Sequence, residues 1–470
     1  MESYNNLLSI QRDVLSGKIR LKELVLFYLD TIQKNGHLNA FLEVFDEEAL
    51  LRAEEVDAKM KAGKAGKLAG MVIAIKDNIC FKNHHVSASS KILEGFTSIY
   101  SSTVVERLLA EDAIIIGRCN CDEFAMGASN ETSPYGPVLN AADNTRVSGG
   151  SSGGAAVAVQ SNMCLASIGS DTGGSIRQPA AFCGLYGLKP TYGRVSRWGL
   201  LAYASSFDQI GPITKSINDM QIIMEVISGK DDFDATVSDK VVPSYTKDFI
   251  AEKKYRIAYI KECIEHEGID EEIKKVTFDK IELLRKEGHI VEEISFPYLD
   301  FLVPVYYVLT TAEASSNLSR FSGLSYGYRS KNISDLETTF KRSRSEGFGA
   351  EVKRRIMLGT FVLSAGFFDA YYTKGQQVRR LVQEKTNEIL SSYDFILSPT
   401  TPTPAFKLGE KVSNPVAMYL ADIFTVHANI SGNPAISIPV GNHSNGMPMG
   451  LQLMSANFSE GELLQFAKKI

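Results

Sequence analysis

Apolar residues recur at helical spacing over Leu21 to Lys34 and over Glu47 to Lys61, each with a charged outer face, and predict two amphipathic helices. A short unbroken apolar run, Met71 to Ile75, then reads as a buried strand. The alternation continues with a helix over Thr103 to Glu111 and strands over Ala113 to Ile116 and Leu165 to Ile168. Further on it gives a strand at Arg256 to Ile260, a helix at Glu271 to Glu287 and a strand at Ile290 to Ile294. One long helix is expected over Val352 to Leu390, strands at Phe395 to Leu397 and Ala435 to Pro439, and a closing helix over Glu460 to Lys469. Strands alternating with helices predict a layered α/β/α architecture. Residues 229–250 are polar and read as a surface excursion. Internal repeats, heptads and low-complexity stretches are absent from the sequence, and no linker divides it. Residues 1–470 are therefore read as a single domain, although length alone would allow about three.

Composition narrows the classes. Hydrophobic residues make up 44% and charged residues 22%, as in ordinary globular chains. A formal net charge of -5 disfavours a protein that grips nucleic acid by itself. No apolar run approaches the ~20 residues that span a bilayer. The polar start, Met1 to Asn6, has no signal-peptide core, so the expected location is the cytoplasm. The cysteines, Cys80, Cys119, Cys121, Cys164, Cys183 and Cys263, form no C-x-x-C pair. They read as buried small hydrophobes, with neither a disulfide framework nor a metal site expected.

One stretch departs from the average. The 47 residues from Val147 to Gly193 carry only three charges, Asp171, Arg177 and Lys189. The 51 residues from Gly149 to Gly199 hold 11 of the 37 glycines. Such a segment is too apolar for a linker and too rich in glycine for plain helices.

Three features near or inside it carry chemistry. Lys76 closes the apolar run 71–75. Either it snorkels to water, or it is buried, and a desolvated ammonium loses its proton easily enough to act as a base. Ser148-Gly-Gly-Ser151-Ser-Gly-Gly154 leads into Ala155 to Val159, a loop feeding a buried helix. It lacks the G-K-[ST] of a P-loop. Its G-x-S-x-G match follows the polar segment Asn140 to Val147 rather than a strand, which rules out a nucleophile elbow. Gly169-Ser-Asp171-Thr-Gly-Gly174-Ser175-Ile-Arg177 follows the strand 165–168. Its glycines let backbone N–H groups converge near the Ser175 hydroxyl, as an oxyanion hole requires, although a strand-to-helix turn capped by serine would look similar. Asp171 and Arg177, opposite charges in an uncharged segment, are expected to pair or to organise the loop.

A serine nucleophile needs a base. No histidine lies between His85 and His266, so a local Ser-His pair is absent. A neutral lysine relayed through a second serine could serve.

These motifs resemble the amidase-signature family: a strand lysine, then G-G-S-S-G-G, then G-x-D-x-G-G-S-[IV]-R-x-P, with Gly184 to Ser196 continuing the likeness. The resemblance implies a mixed β-sheet core between helical layers and a Ser-Ser-Lys triad. Ser175 would be the nucleophile, Ser151 the bridging serine on a cis peptide, and Lys76 the base. Backbone N–H groups of Thr172, Gly173 and Gly174, on to Ser175, would form the oxyanion hole.

Within the family the chain is most similar to the A-type branch of aspartyl/glutamyl-tRNA amidotransferase chains. Asp122 to Gly127, Ala314 to Arg320, Arg354 to Thr360, Phe367 to Tyr372 and Met418 to Asp422 carry that likeness. It implies a free-glutamine site using Tyr306 (or Tyr307), Arg355 and Asp422. An arginine fork suits an α-carboxylate and a carboxylate suits an α-ammonium. The resemblance further implies no cofactor in this chain. It implies B-type and C-type partner subunits, ATP and Mg2+ at the B-type partner, and mischarged tRNA as substrate of the whole assembly. A stand-alone amidase and a catalytically silent scaffold are the rival expectations.

Overall fold

The structure is a computed structural model and describes residues 3–247, 253–412 and 414–470. Its centre is an eleven-stranded mixed sheet. The strands are β1 (Phe41–Val44), β2 (Val72–Lys76), β3 (Ile114–Cys119), β4 (Ala166–Asp171), β5 (Tyr186–Lys189), β6 (Gln209–Thr214), β7 (Arg256–Ile260), β8 (Ile290–Ile294), β9 (Phe395–Pro399), β10 (Ala435–Asn442) and β11 (Pro448–Ser455). Their order across the sheet is β1-β3-β2-β4-β6-β5-β10-β11-β9-β7-β8. β2 runs parallel to β3 and β4, and β7 parallel to β8 and β9. The central pairs from β4 to β9 are antiparallel.

Local sequence explains the strands that position the chemistry. Every residue of β2, β3 and β4 is buried, which accounts for unbroken apolar runs in place of an alternating pattern. The helix Leu21–Lys34 buries Leu21, Leu24, Val25, Tyr28 and Ile32, at the spacing of one helical face, against the helix Asp46–Lys61, which in turn packs on β3. One large apolar cluster spans β2, β3, β4 and the N-terminal helices. A second gathers Tyr203, Phe207, Tyr306 and Tyr307 with the strand residues Ala258, Ile260 and Ile396.

Two departures from the expected pattern bear on the site. The long helix expected over Val352 to Leu390 is broken. Ala350–Val362 ends before Gly366, whose φ of 86° lies in the left-handed region, and a π turn at Asp369–Thr373 leads into Lys374–Ser392. A 19-residue helix, Leu299–Asn317, appears where no periodicity announces one. It buries residues from Leu299 to Ala314 around most of its circumference and contains Pro304, so it lacks the polar face that would reveal a period. The segment 229–247 contains no helix or strand, in line with a surface excursion, and its expected end at 248–250 lies outside the described residues.

Candidate active site

β2 and β4 are parallel neighbours, in register at Ile75 and Ile168, so their C-terminal ends reach the same edge of the sheet. That edge receives Lys76 from β2, and Ser170 and Asp171 from β4. The Lys76 side chain does not snorkel; it is fully buried. Its Nζ lies 2.6 Å from Ser151 Oγ, 3.0 Å from Ser152 Oγ and 2.9 Å from Ser170 Oγ. Burial pushes the pKa of the Lys76 ammonium down to about 8, against the opposing pull of surrounding acidic groups. Asn78 Nδ2 donates to Ser170 Oγ at 2.9 Å, fixing one of the lysine's acceptors.

The serines come from two loops held together by backbone and side-chain bonds. The Gly150–Ser151 peptide is cis. The N–H of Ser152 donates to the carbonyl of Ser175 at 3.1 Å, and that of Asp122 donates to the carbonyl of Ser151 at 3.2 Å. Gln178 accepts from the N–H of Gly150 at 2.9 Å and donates to the carbonyl of Ala128 at 2.7 Å. Gly150 leaves no room for a side chain, since a Cβ there would lie 2.0 Å from Asp122 Oδ2.

Asp171 and Arg177 form a fully buried two-bond pair at 3.0 and 2.9 Å. Arg177 also donates to Thr425 O, Gln452 Oε1 and Asn429 Oδ1, at 2.8, 2.6 and 2.6 Å. Burial alone would raise the Asp171 carboxyl; the adjacent guanidinium overrides it and holds the carboxyl below its usual range. The carboxylate also organises the loop, taking the N–H of Gly174 at 2.8 Å and of Ile176 at 3.1 Å. Gly174 thus departs from the expected oxyanion hole, because its N–H is already engaged by Asp171. No hydrogen bond among the described residues takes up the N–H of Gly173 or Ser175. The Thr172 side chain donates to Asp208 at 2.7 Å. Tyr306 packs directly on the loop: a Cβ on Gly173 would lie 2.6 Å from the Tyr306 ring and hydroxyl oxygen. Tyr307 turns elsewhere, stacking on Tyr419 with centroids 3.8 Å apart.

A cavity of about 260 Å³ is lined by Gly127, Ala128 and Ser129 on one side and Glu351, Arg355 and Tyr419 on the other. Arg355 is not a solvated helix residue. Its side chain is 4% exposed, while that of its neighbour Arg354 is 49% exposed. Its guanidinium donates to Tyr203 OH at 2.9 Å and lies within 5.6 Å of the ring centroids of Tyr203, Tyr307 and Tyr419. Asp422 is buried, but its Oδ1 lacks the hydrogen-bonding partner that burial would call for. Burial raises its carboxyl well above the usual range, with Arg355 pulling the other way. A buried carboxyl of this kind is suited to meet a ligand's cation.

Sequence patterns do not single out Asn78, Ser170, Gln178, Tyr203, Glu351, Tyr419, Asn429 or Gln452. Ser170 and Gln178 lie inside a motif, Tyr419 inside the stretch Met418 to Asp422 and Asn78 two residues beyond Lys76, so proximity could have flagged these four. The others come from segments that only the fold brings near. The six cysteines are all buried and unpaired. Among the described residues, no group of three His, Cys, Asp or Glu side chains is arranged to hold a metal ion. No helix among them is long and apolar enough to cross a membrane.

Comparison with known proteins agrees with the geometry. The sequence model of the family described as Amidase matches residues 23–464. The A-type chain of glutamyl-tRNA(Gln) amidotransferase from Chlorobium phaeobacteroides (strain BS1) is 49% identical over 471 residues, covering 100% of this chain and 98% of that protein. The crystal structure of its Thermotoga maritima namesake superposes with a TM-score of 0.77 at 40% identity, covering 95% of this chain and 90% of that one. A crystal structure described as an amidase gives a TM-score of 0.82 at 27% identity, covering 98% of each chain. With the family's motifs converging on one edge of a mixed sheet and the family match running over nearly its whole length, the chain belongs to the amidase family.

Proposed function

We propose that this chain, acting as one domain, is the glutamine-hydrolysing subunit of a tRNA-dependent amidotransferase, supplying ammonia to a partner. The carrying observation is the joint presence of a buried lysine bonded to Ser151 and of two buried charge-bearing side chains, Arg355 lining a cavity and Asp422, within its electrostatic reach, with an Oδ1 that lacks a hydrogen-bonding partner. The first provides a base. The second offers a cation and an anion to the two α-charges of free glutamine, which a pocket for uncharged amides would not need.

In this reading neutral Lys76 receives a proton from Ser151 as Ser151 takes the proton of Ser175. Ser175 Oγ bonds to the side-chain amide carbon of glutamine, and the carbonyl π pair moves to oxygen, where the N–H groups of Gly173 and Ser175 stabilise it. Thr172 contributes through its bond to Asp208, which shapes the same loop. The relay then returns its proton to the amide nitrogen, the C–N bond breaks and ammonia leaves. Water, deprotonated through the same serine and lysine, cleaves the γ-glutamyl ester to glutamate and regenerates Ser175. Tyr306, against Gly173, borders the reacting carbon; Arg355 holds the α-carboxylate and Asp422 the α-ammonium.

Ammonia would pass to a B-type subunit that uses ATP and Mg2+ to activate glutamate, or aspartate, mischarged on tRNA, with a small C-type subunit bracing the pair. The net charge of -5 fits a chain that leaves most tRNA contact to its partner. Cytoplasmic translation is the matching location. The experiment is glutamine hydrolysis by this chain with and without co-purifying subunits, followed by transamidation of Glu-tRNA(Gln) and Asp-tRNA(Asn). Glutamine-dependent amidation only in the assembled complex supports the reading. Turnover of assorted amides by the isolated chain, with nothing gained from partners, overturns it.

A further inference from the structure

Glu351, which the proposed chemistry does not use, lines the same cavity as Arg355 and Tyr419. It lies in the first turn of the helix Ala350–Val362. Its Oε1 accepts from Arg355 Nε at 2.8 Å and from the Tyr419 hydroxyl at 3.1 Å, and its Oε2 accepts from Arg354 Nη1. An exposed glutamate-arginine pair one helical turn apart would be unremarked. This pair is different: the glutamate side chain is 13% exposed, the arginine 4%, and one of the donors comes from another element.

The geometry constrains the arginine. A guanidinium has five N–H donors. Glu351 takes the one on Nε, and Tyr203 takes one on Nη1 at 2.9 Å. The remaining donors are on the Nη end, the end that grips a carboxylate with two parallel bonds. With the rings of Tyr203, Tyr307 and Tyr419 around it, the guanidinium cannot turn without breaking the Glu351 contact. Tyr419 in turn is followed directly by the short turn Leu420–Asp422. One carboxylate therefore ties the helix that carries Arg355 to the turn that carries Asp422.

We propose that Glu351 is a positioning residue that sets the spacing of the two charge-reading arms, and so the preference for an amide bearing both an α-carboxylate and an α-ammonium over an uncharged amide. This rests on the glutamine reading above. A glutamate in a first helical turn also favours the helix by itself, and a role limited to that would weaken all substrates alike.

The test compares L-glutamine with butyramide, an amide without α-charges, on the full chain with any subunits it needs for activity. Glu351→Gln keeps the volume and removes the charge. The Michaelis constant for glutamine should rise about 10-fold with kcat little changed, the loss expected for one charge-assisted contact. The kcat/KM for butyramide should stay as in the unmodified protein. Tyr419→Phe, which keeps the ring and removes one contact, should move the glutamine-to-butyramide ratio the same way by less, and decides the matter if Glu351→Gln fails to fold. An unchanged ratio in the folded variants, whether both substrates hold or both fall by one factor, overturns the proposal. Absence of glutamine turnover in the unmodified protein would instead sink the glutamine reading itself.

Discussion

Lys76 Nζ and Ser151 Oγ lie 2.6 Å apart at the C-terminal end of a fully buried strand. A lysine in that setting holds its proton less firmly than a surface lysine, because desolvation opposes the ammonium. The neutral form is the base, so activity follows its titration. With the lysine lowered to about 8, kcat/KM for glutamine should climb as pH rises through that region and flatten above it. The pH-rate profile checks this, and Lys76→Met should lower kcat by about 10² to 10⁴, the range for losing a positioned general base.

The Asp171 and Arg177 pair makes a stability prediction. Asp171→Asn leaves a fully buried guanidinium without its counter-charge and should cost about 3–5 kcal/mol in a urea unfolding series. Because the folded-state carboxyl is held below its unfolded value, the ionised pair contributes its full stability above the ordinary carboxylate range. That contribution is lost as pH falls from that range toward the depressed folded value. The acid limb of the stability curve should therefore be shallower in Asp171→Asn than in the unmodified protein.

Arg355 and Asp422 separate binding from chemistry. Arg355→Ala should raise the Michaelis constant for glutamine by about 10- to 100-fold, the loss of a charge-assisted fork, while altering kcat less. Asp422→Asn should act in the same direction. Since burial raises the Asp422 carboxyl, glutamine binding should release a proton there, measurable as buffer-dependent binding heat that disappears in Asp422→Asn.

The chemistry was more legible in the sequence than the pocket that feeds it. Lys76, Ser151, Asp171, Ser175 and Arg177 lie in contiguous motifs whose glycines and isolated charges have few other uses, and parallel pairing of β2 with β4 brings Lys76 and Asp171 to one edge. Glu351, Tyr203 and Tyr419 were not legible, because each is an ordinary residue until three separate segments enclose Arg355. Gly174 shows the limit of motif reading: a glycine beside the nucleophile is expected to offer its N–H to an oxyanion, yet the carboxylate three residues earlier takes it. The long helix expected over Val352 to Leu390 is interrupted for a local reason, the left-handed Gly366, which apolar spacing cannot register. The helix Leu299–Asn317 escapes for the opposite reason, being apolar on nearly every face.

The central claim is that Ser175 is the nucleophile, and the most direct measurement is ammonia release from glutamine by Ser175→Ala alongside its thermal unfolding midpoint. The account predicts turnover at background with the midpoint unchanged, since Ser175 is 7% exposed at the active edge and its hydroxyl carries no structural bond described for it. Turnover equal to that of the unmodified protein would contradict it.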